Sequence, residues 1–165
     1  MAIIVLVLVS RRASAQRTGS IPDFRIGRTN NTYFSNADLK KNMAVMLVYF
    51  QPDCNECLDF TKDLIKHAGQ FKHVQIVMVT NTALQPVRNF ESQLKIRNYR
   101  NFIIGTEGYT LVLQRALQVT RFPAVAAYNK DGKPLTISNW SRDPAVLVGQ
   151  LRRVFDPDRL DIRHK

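Results

Sequence analysis

Cysteine is scarce in this chain: two in 165 residues, alongside one tryptophan, seven glycines and seven prolines. So few cysteines exclude a disulfide-stapled miniprotein, and the glycine and proline content excludes collagen and low-complexity disorder. No run of roughly 18 consecutive apolar residues is present, so the sequence offers no helix of the kind that spans a bilayer. Acidic residues are few as well, with 13 Asp and Glu against 24 Lys and Arg, a formal charge of +11. A surface of that sign attracts anions. Its cations are scattered, the densest pairs being Arg11-Arg12, Lys40-Lys41 and Arg152-Arg153. No basic stripe or known module marks a specific nucleic-acid site. The P-loop, G-x-G-x-x-G and G-x-S-x-G signatures are absent too. What remains is 45% hydrophobic. A chain of this length buries roughly 70% of its unfolded surface, so it needs no metal or disulfide staple to fold.

Ala2 to Val9 is an apolar run, followed by Ser10-Arg11-Arg12 and then Ala13-Ser14-Ala15. Signal peptidase accepts such a small-x-small pattern, so residues 1–15 read as a signal peptide cleaved after Ala15. The protein is then expected to be exported, to a periplasmic or other extracytoplasmic space. Membrane association is expected only through these residues. No positive residue precedes the apolar run, and a short buried strand opening the fold is the other reading of it.

Residues 16–40 are polar and read as an N-terminal extension, with short strand pieces around Phe24-Arg25-Ile26 and Thr32-Tyr33-Phe34 and a helical turn from Ser35. Residues 41–156 read as one domain, and 157–165 as a charged C-terminal tail. Within the domain, Ala44 to Phe50 is apolar throughout, the pattern of a strand buried on both faces of a parallel sheet. Helical spacing runs from Cys54 to Ala68, ending at Gly69. A strand follows at Val74–Thr80, a helix at Pro86–Arg97, a strand at Asn101–Gly105, a helix at Thr110–Val119 and a strand at Ala124–Tyr128. Asp131-Gly132 predicts a hairpin turn with an antiparallel return over Leu135–Ile137. Asp143-Pro144, an N-cap followed by proline at the first helical position, opens a last helix to about Phe155. Alternating strands and helices predict an α/β fold, a mixed central sheet covered by helices on both faces.

The two cysteines, Cys54 and Cys57, are spaced C-x-x-C where a buried strand turns into a helix. A helix N-terminus carries partial positive charge and unpaired N–H groups. A thiolate there is stabilised and can attack a disulfide near neutral pH. A second sulfur three residues on lies within disulfide reach and can resolve the mixed disulfide. Asp53 and Glu56 beside the thiols act the other way, because like charges disfavour ionisation. Cys54 is therefore expected to be a weaker acid than in strongly oxidising relatives, and the pair to tend towards a reductant or a slow exchanger.

The segments Leu47-Val48-Tyr49-Phe50-Gln51-Pro52-Asp53-Cys54-Asn55-Glu56-Cys57 and Val119-Thr120-Arg121-Phe122-Pro123-Ala124-Val125-Ala126-Ala127-Tyr128-Asn129-Lys130-Asp131-Gly132-Lys133 resemble the thioredoxin superfamily. The extra helix and strand after Thr80 resemble the insertion, ahead of the cis-proline loop, of its TlpA-like and redoxin-type branches. The resemblance covers about residues 40–155. It implies a thiol-disulfide oxidoreductase serving cell redox homeostasis, with Cys54 as nucleophile and Cys57 as the resolving thiol. It implies that Pro123 is cis and keeps metals from the thiols, and that the Phe122 backbone offers strand-like hydrogen bonds to a substrate. Pro52 and Phe50 would frame the strand end, and Asp53, Asn55 and Glu56 would support the site. Partners would be protein thiols or disulfides and an upstream electron donor or acceptor, and no cofactor is needed. The chain departs from thioredoxin in having Asp53 in place of Trp, Asn55-Glu56 in place of Gly-Pro, and Val48 in place of a buried acid.

Other readings weigh less. A redox-inactive module using the same groove to bind a protein is the main alternative. Peroxide reduction is weaker, because Gln51 stands where peroxidatic sites usually carry Thr. Cys54, Cys57, His67 and His73 run C-x2-C-x9-H-x5-H, near a zinc-finger format, but the intervening residues read as a core-facing helix, and no metal is expected. Asn30-Asn31-Thr32 and Asn139-Trp140-Ser141 fit the glycosylation sequon, which is too common to weigh.

Overall fold

The structure, a computed structural model, describes residues 20–135 and 141–157. The proposed signal peptide, the end of the return strand, Trp140 and the tail beyond Pro157 lie outside the described residues.

Six strands form one mixed sheet. They are β1 (Arg25–Arg28), β2 (Tyr33–Ser35), β3 (Ala44–Tyr49), β4 (Val74–Thr80), β5 (Phe102–Thr106) and β6 (Ala124–Tyr128), in the order β2-β1-β5-β4-β3-β6. The apolar runs explain the centre: every residue of β3 and β4 is buried, and the two pair in parallel from Ala44↔Val74 to Tyr49↔Val79. β5 continues the parallel set beside β4, while β6 runs antiparallel to β3 from Tyr49↔Ala124 to Val45↔Tyr128. The predicted hairpin turn is present, with Gly132 at φ 74° and Asn129 N–H donating to Lys133 O at 2.9 Å. Leu135 N–H returns to Ala127 O at 2.7 Å.

The segment read as an N-terminal extension is integrated into the sheet. β1 pairs with both β2 and β5, joining through Gly27↔Thr106 and Arg28↔Gly105. Gly105 permits this approach, since a Cβ there would stand 2.6 Å from Gly27 O.

The helices are α1 (Asn55–Lys66), α2 (Leu84–Gln93), α3 (Val112–Ala116) and α4 (Pro144–Val154). Alternating strand residues divide the core in two. Met46, Val48, Ile76 and Met78 face the helices α1, α2 and α4, through Phe60, Leu64, Val87, Phe90, Leu147 and Leu151. Val45, Leu47, Tyr49, Val77 and Val79 face α3 and the entry segment, through Leu113, Phe24 and Ile26. Three helices are shorter than their apolar spacing predicts. Lys95 takes a left-handed conformation after α2, and Leu111 and Gln118 do so around α3. α1 ends at Lys66, so Gly69 falls in a following 3-10 turn and not at the helix end. Among the described residues no helix is long and apolar enough to cross a membrane.

Candidate functional site

The parallel strands β3, β4 and β5 deliver their C-terminal ends to one edge of the sheet, and β6 begins there. At this edge Phe50 N–H still bonds Val79 O at 2.9 Å, after which the chain turns through Pro52 and Asp53. Cys54 N–H closes the turn on Gln51 O at 3.2 Å. α1 then starts with Cys54 itself as the cap: its sulfur accepts the Cys57 N–H at 3.2 Å, in the role a Ser or Asp oxygen ordinarily fills. The Cys54 thiol in turn donates to Glu56 Oε2 at 3.7 Å.

Both cysteines are free thiols, Cys54 half-buried and Cys57 fully buried. Burial pushes the Cys57 thiol far above its ordinary value, and its hydrogen bond to the Cys54 sulfur adds to this. The Gln51 N–H works in the opposite sense, while the charges of Cys54 and Glu56 push the thiol further up. The two sulfurs are thus unlike: one is accessible at a helix terminus, and one is held protonated in the core.

The Phe122–Pro123 peptide is cis. The register Tyr49↔Ala124 places Pro123 at the strand end from which the Cys54 turn departs. The Phe122 ring stacks on Tyr49, centroids 6.2 Å apart and planes 25° from parallel. Phe122 and Cys54 pack against the same apolar cluster. Pro52 is half-buried, and Asp53, Asn55 and Glu56 are exposed. The histidines of the zinc-like spacing are engaged elsewhere, His67 Nδ1 with Asp63 O at 2.9 Å and the His73 ring with Phe155 O. Among the described residues no three His, Cys, Asp or Glu gather as a metal site.

No protein-family model matches the sequence, and no curated protein matches it. Solved structures do match. A secreted Mycobacterium tuberculosis disulfide oxidoreductase homologous to E. coli DsbE superposes with a TM-score of 0.62 at 19% identity, over 80% of this chain and 93% of that one. MTB DsbF, in its mixed oxidized and reduced forms, gives 0.63 at 16% identity over 83% and 94%. A thiol-disulfide oxidoreductase from Bacteroides fragilis gives 0.64 at 13% identity over 82% and 98%. The fold is thioredoxin-like.

Within this thioredoxin-like fold, α2 and β5 form the extra helix and strand ahead of the cis-proline loop. Sequence reasoning missed a polar network behind the thiols. Buried Glu107, just after β5, accepts from Tyr49 Oη at 2.7 Å, Leu113 N at 2.8 Å and Gln114 N at 3.1 Å. Gln114 Oε1 accepts from Asn81 Nδ2 at 3.3 Å, and Asn81 Oδ1 accepts from Gln51 Nε2 at 2.8 Å. Thr82 Oγ1 donates to Gln51 Oε1 at 2.6 Å. Burial, and then the bond to Glu107, push the Tyr49 hydroxyl far up, so it remains a donor. Two signals were in the sequence: a tyrosine closing an otherwise aliphatic strand, and a glutamate just after another.

Proposed function

We propose that the protein is a thiol-disulfide oxidoreductase that exchanges a Cys54–Cys57 dithiol and disulfide with protein substrates. The observation that carries this reading is the asymmetry of the pair: a half-buried sulfur capping α1 and accepting the N–H of a fully buried second cysteine. The Cys54 thiolate attacks a substrate disulfide, forming one S–S bond and releasing one substrate thiolate. Cys57, deprotonated as it reacts, attacks the Cys54 sulfur, closes the Cys54–Cys57 disulfide and frees the second substrate thiolate. Two electrons pass to the substrate, and an external dithiol returns them; the reverse sequence oxidises a substrate. The Phe122 backbone beside cis Pro123 is the surface on which the substrate strand would lie. Export fits Ala13-Ser14-Ala15 and is tested by N-terminal sequencing of the secreted product.

The deciding experiment equilibrates the protein in graded dithiothreitol or glutathione buffers and counts free thiols by alkylation. A reversible two-electron transition is expected, lost in Cys54→Ser, with Cys57→Ser trapping a mixed disulfide. A midpoint of about −270 mV marks a reductant and one of about −120 mV an oxidant, and the acids at positions 53 and 56 favour the former. If the thiols never pair under oxidant, this reading fails and a redox-inactive binding module takes its place.

A further inference from the structure

We propose that Glu107 is a positioning residue that holds both walls of the exchange site, the Gln51–Cys54 turn and the Phe122–Pro123 loop, in register. The proposal rests on the oxidoreductase reading above and adds a residue distant in sequence from either wall.

One carboxylate sends two arms to the site. The first is short: Glu107 holds the Tyr49 hydroxyl at 2.7 Å, and the Tyr49 ring carries Phe122. This arm ends on the residue whose backbone would bind substrate. The second runs from Glu107 through the Gln114 backbone N–H, then from Gln114 Oε1 to Asn81 and on to Gln51. It ends on the residue whose carbonyl accepts the Cys54 N–H and so closes the turn that carries the first cysteine. Gln51 is pinned further by Thr82. Side-chain amides do not pass protons as hydroxyls and carboxylates do, so the second arm fixes position and carries no proton. A network anchored on a buried, fully bonded carboxylate, with its outer members half-buried, holds its ends in place, which is what two loops from different strands need in order to meet a substrate together. Glu107 also accepts Leu113 N–H at the start of α3. Capping that short helix is the competing account.

The two arms make different predictions for exchange with a synthetic peptide carrying one intramolecular disulfide. Tyr49→Phe removes one hydroxyl, and with it the 2.7 Å bond of the first arm to Glu107 and a longer 3.4 Å bond to Gln114 Oε1 on the second. It is expected to raise KM about fivefold with kcat held, the loss of roughly one net hydrogen bond. Gln114→Met cuts the second arm at nearly constant shape. It is expected to lower kcat and lengthen the life of the Cys54 mixed disulfide, because the Gln51 carbonyl then holds the Cys54 turn over Cys57 less firmly, with KM held. Glu107→Gln should show both effects. If Tyr49→Phe and Gln114→Met fold but leave KM, kcat and mixed-disulfide lifetime at wild-type values, Glu107 is a helix cap and nothing more. These two variants decide the matter even if Glu107→Gln does not fold. If the wild-type protein exchanges with neither the peptide nor dithiothreitol, the oxidoreductase reading itself falls and this inference falls with it.

Discussion

The two faces of the sheet are built by different means. One is covered by α1, α2 and α4, and its core of Phe50, Phe60, Leu64, Phe71, Val148 and Phe155 is apolar. Among the described residues, the other has only the five-residue α3 and the entry segment above it. There the chain is tied down by polar groups: Gln75 clasps Lys40 through two hydrogen bonds, to its N–H at 2.7 Å and its carbonyl at 3.1 Å, and Tyr49 is held by Glu107. Each cysteine wall leans on a different face. α1 with Cys57 belongs to the helix-covered side, and Tyr49 beneath Phe122 belongs to the thinly covered side. On this contrast, helix burial is expected to supply more of the stability, and directional bonds to set the geometry where cover is sparse.

The largest test removes bulk from each face in turn. Phe60→Ala empties a fully buried site beneath α1. It is expected to cost about 3–5 kcal/mol in denaturant unfolding of the reduced protein. Leu113→Ala, equally buried beneath α3, is expected near the lower end of the roughly 2–5 kcal/mol range, because a short, singly layered helix can settle into the space. Equal losses would remove the distinction between the faces.

Alkaline pH strikes both faces and can be divided between them. Cys57 on the helix side, and Tyr49 and Tyr128 on the other, are all pushed upward, in each case first by burial. An acid whose pKa is raised by folding keeps its proton in the native state while the unfolded chain loses it. Its contribution is complete below the ordinary value and is lost as pH rises beyond it. The reduced protein should therefore lose stability above the ordinary thiol value of 9.0, and more steeply above the ordinary phenol value of 10.0. Thermal melts from pH 8 to 11 read this directly. Cys57→Ala should flatten the first part of the decline and Tyr49→Phe the second. A flat profile in the unaltered protein would contradict the burial of all three.

The helix-covered face was the more legible in the sequence, for a physical reason. All-apolar strands and long amphipathic helices write their burial into local spacing, so Val74–Thr80 and Ala124–Tyr128 are strands at the bounds expected. The C-x-x-C at a strand-to-helix junction was readable because its placement depends only on neighbours in sequence. The other face depends on contacts between distant residues. Tyr49 and Glu107 lie 58 positions apart, and nothing in either neighbourhood announces the other. α3 was overextended because Leu111 and Gln118 adopt left-handed conformations that ordinarily call for glycine or asparagine. The polar entry segment gave short strand signals but no sign that it would pair with β5.

That pairing can be broken at one atom. Gly105→Ala places a methyl group against the Gly27 carbonyl, backbone against backbone, where no flexible side chain can give way. A loss of about 1–3 kcal/mol is expected. Proteolysis should become faster at the exposed Asn30-Asn31 turn than elsewhere, because β1 and β2 would detach from β5 first. Uniform cleavage would mean that the entry hairpin does not open as a unit.

The smallest change considered sharpens the comparison from the helix side. Asp143 caps α4, its carboxylate accepting the Val146 N–H at 3.0 Å with Pro144 in the first turn. Asp143→Ala leaves the apolar face of α4 untouched and is expected to cost about 1 kcal/mol, while Asp143→Asn or Asp143→Ser should recover most of it. α4 packs beside α1 through Leu147, Val148 and Leu151, so a frayed first turn should reach the thiols weakly if burial alone supports that face. A drop in melting temperature with unaltered peptide exchange is therefore expected. A change in the lifetime of the Cys54 mixed disulfide would instead mean that α1 is positioned by its neighbour as closely as Phe122 is by Tyr49.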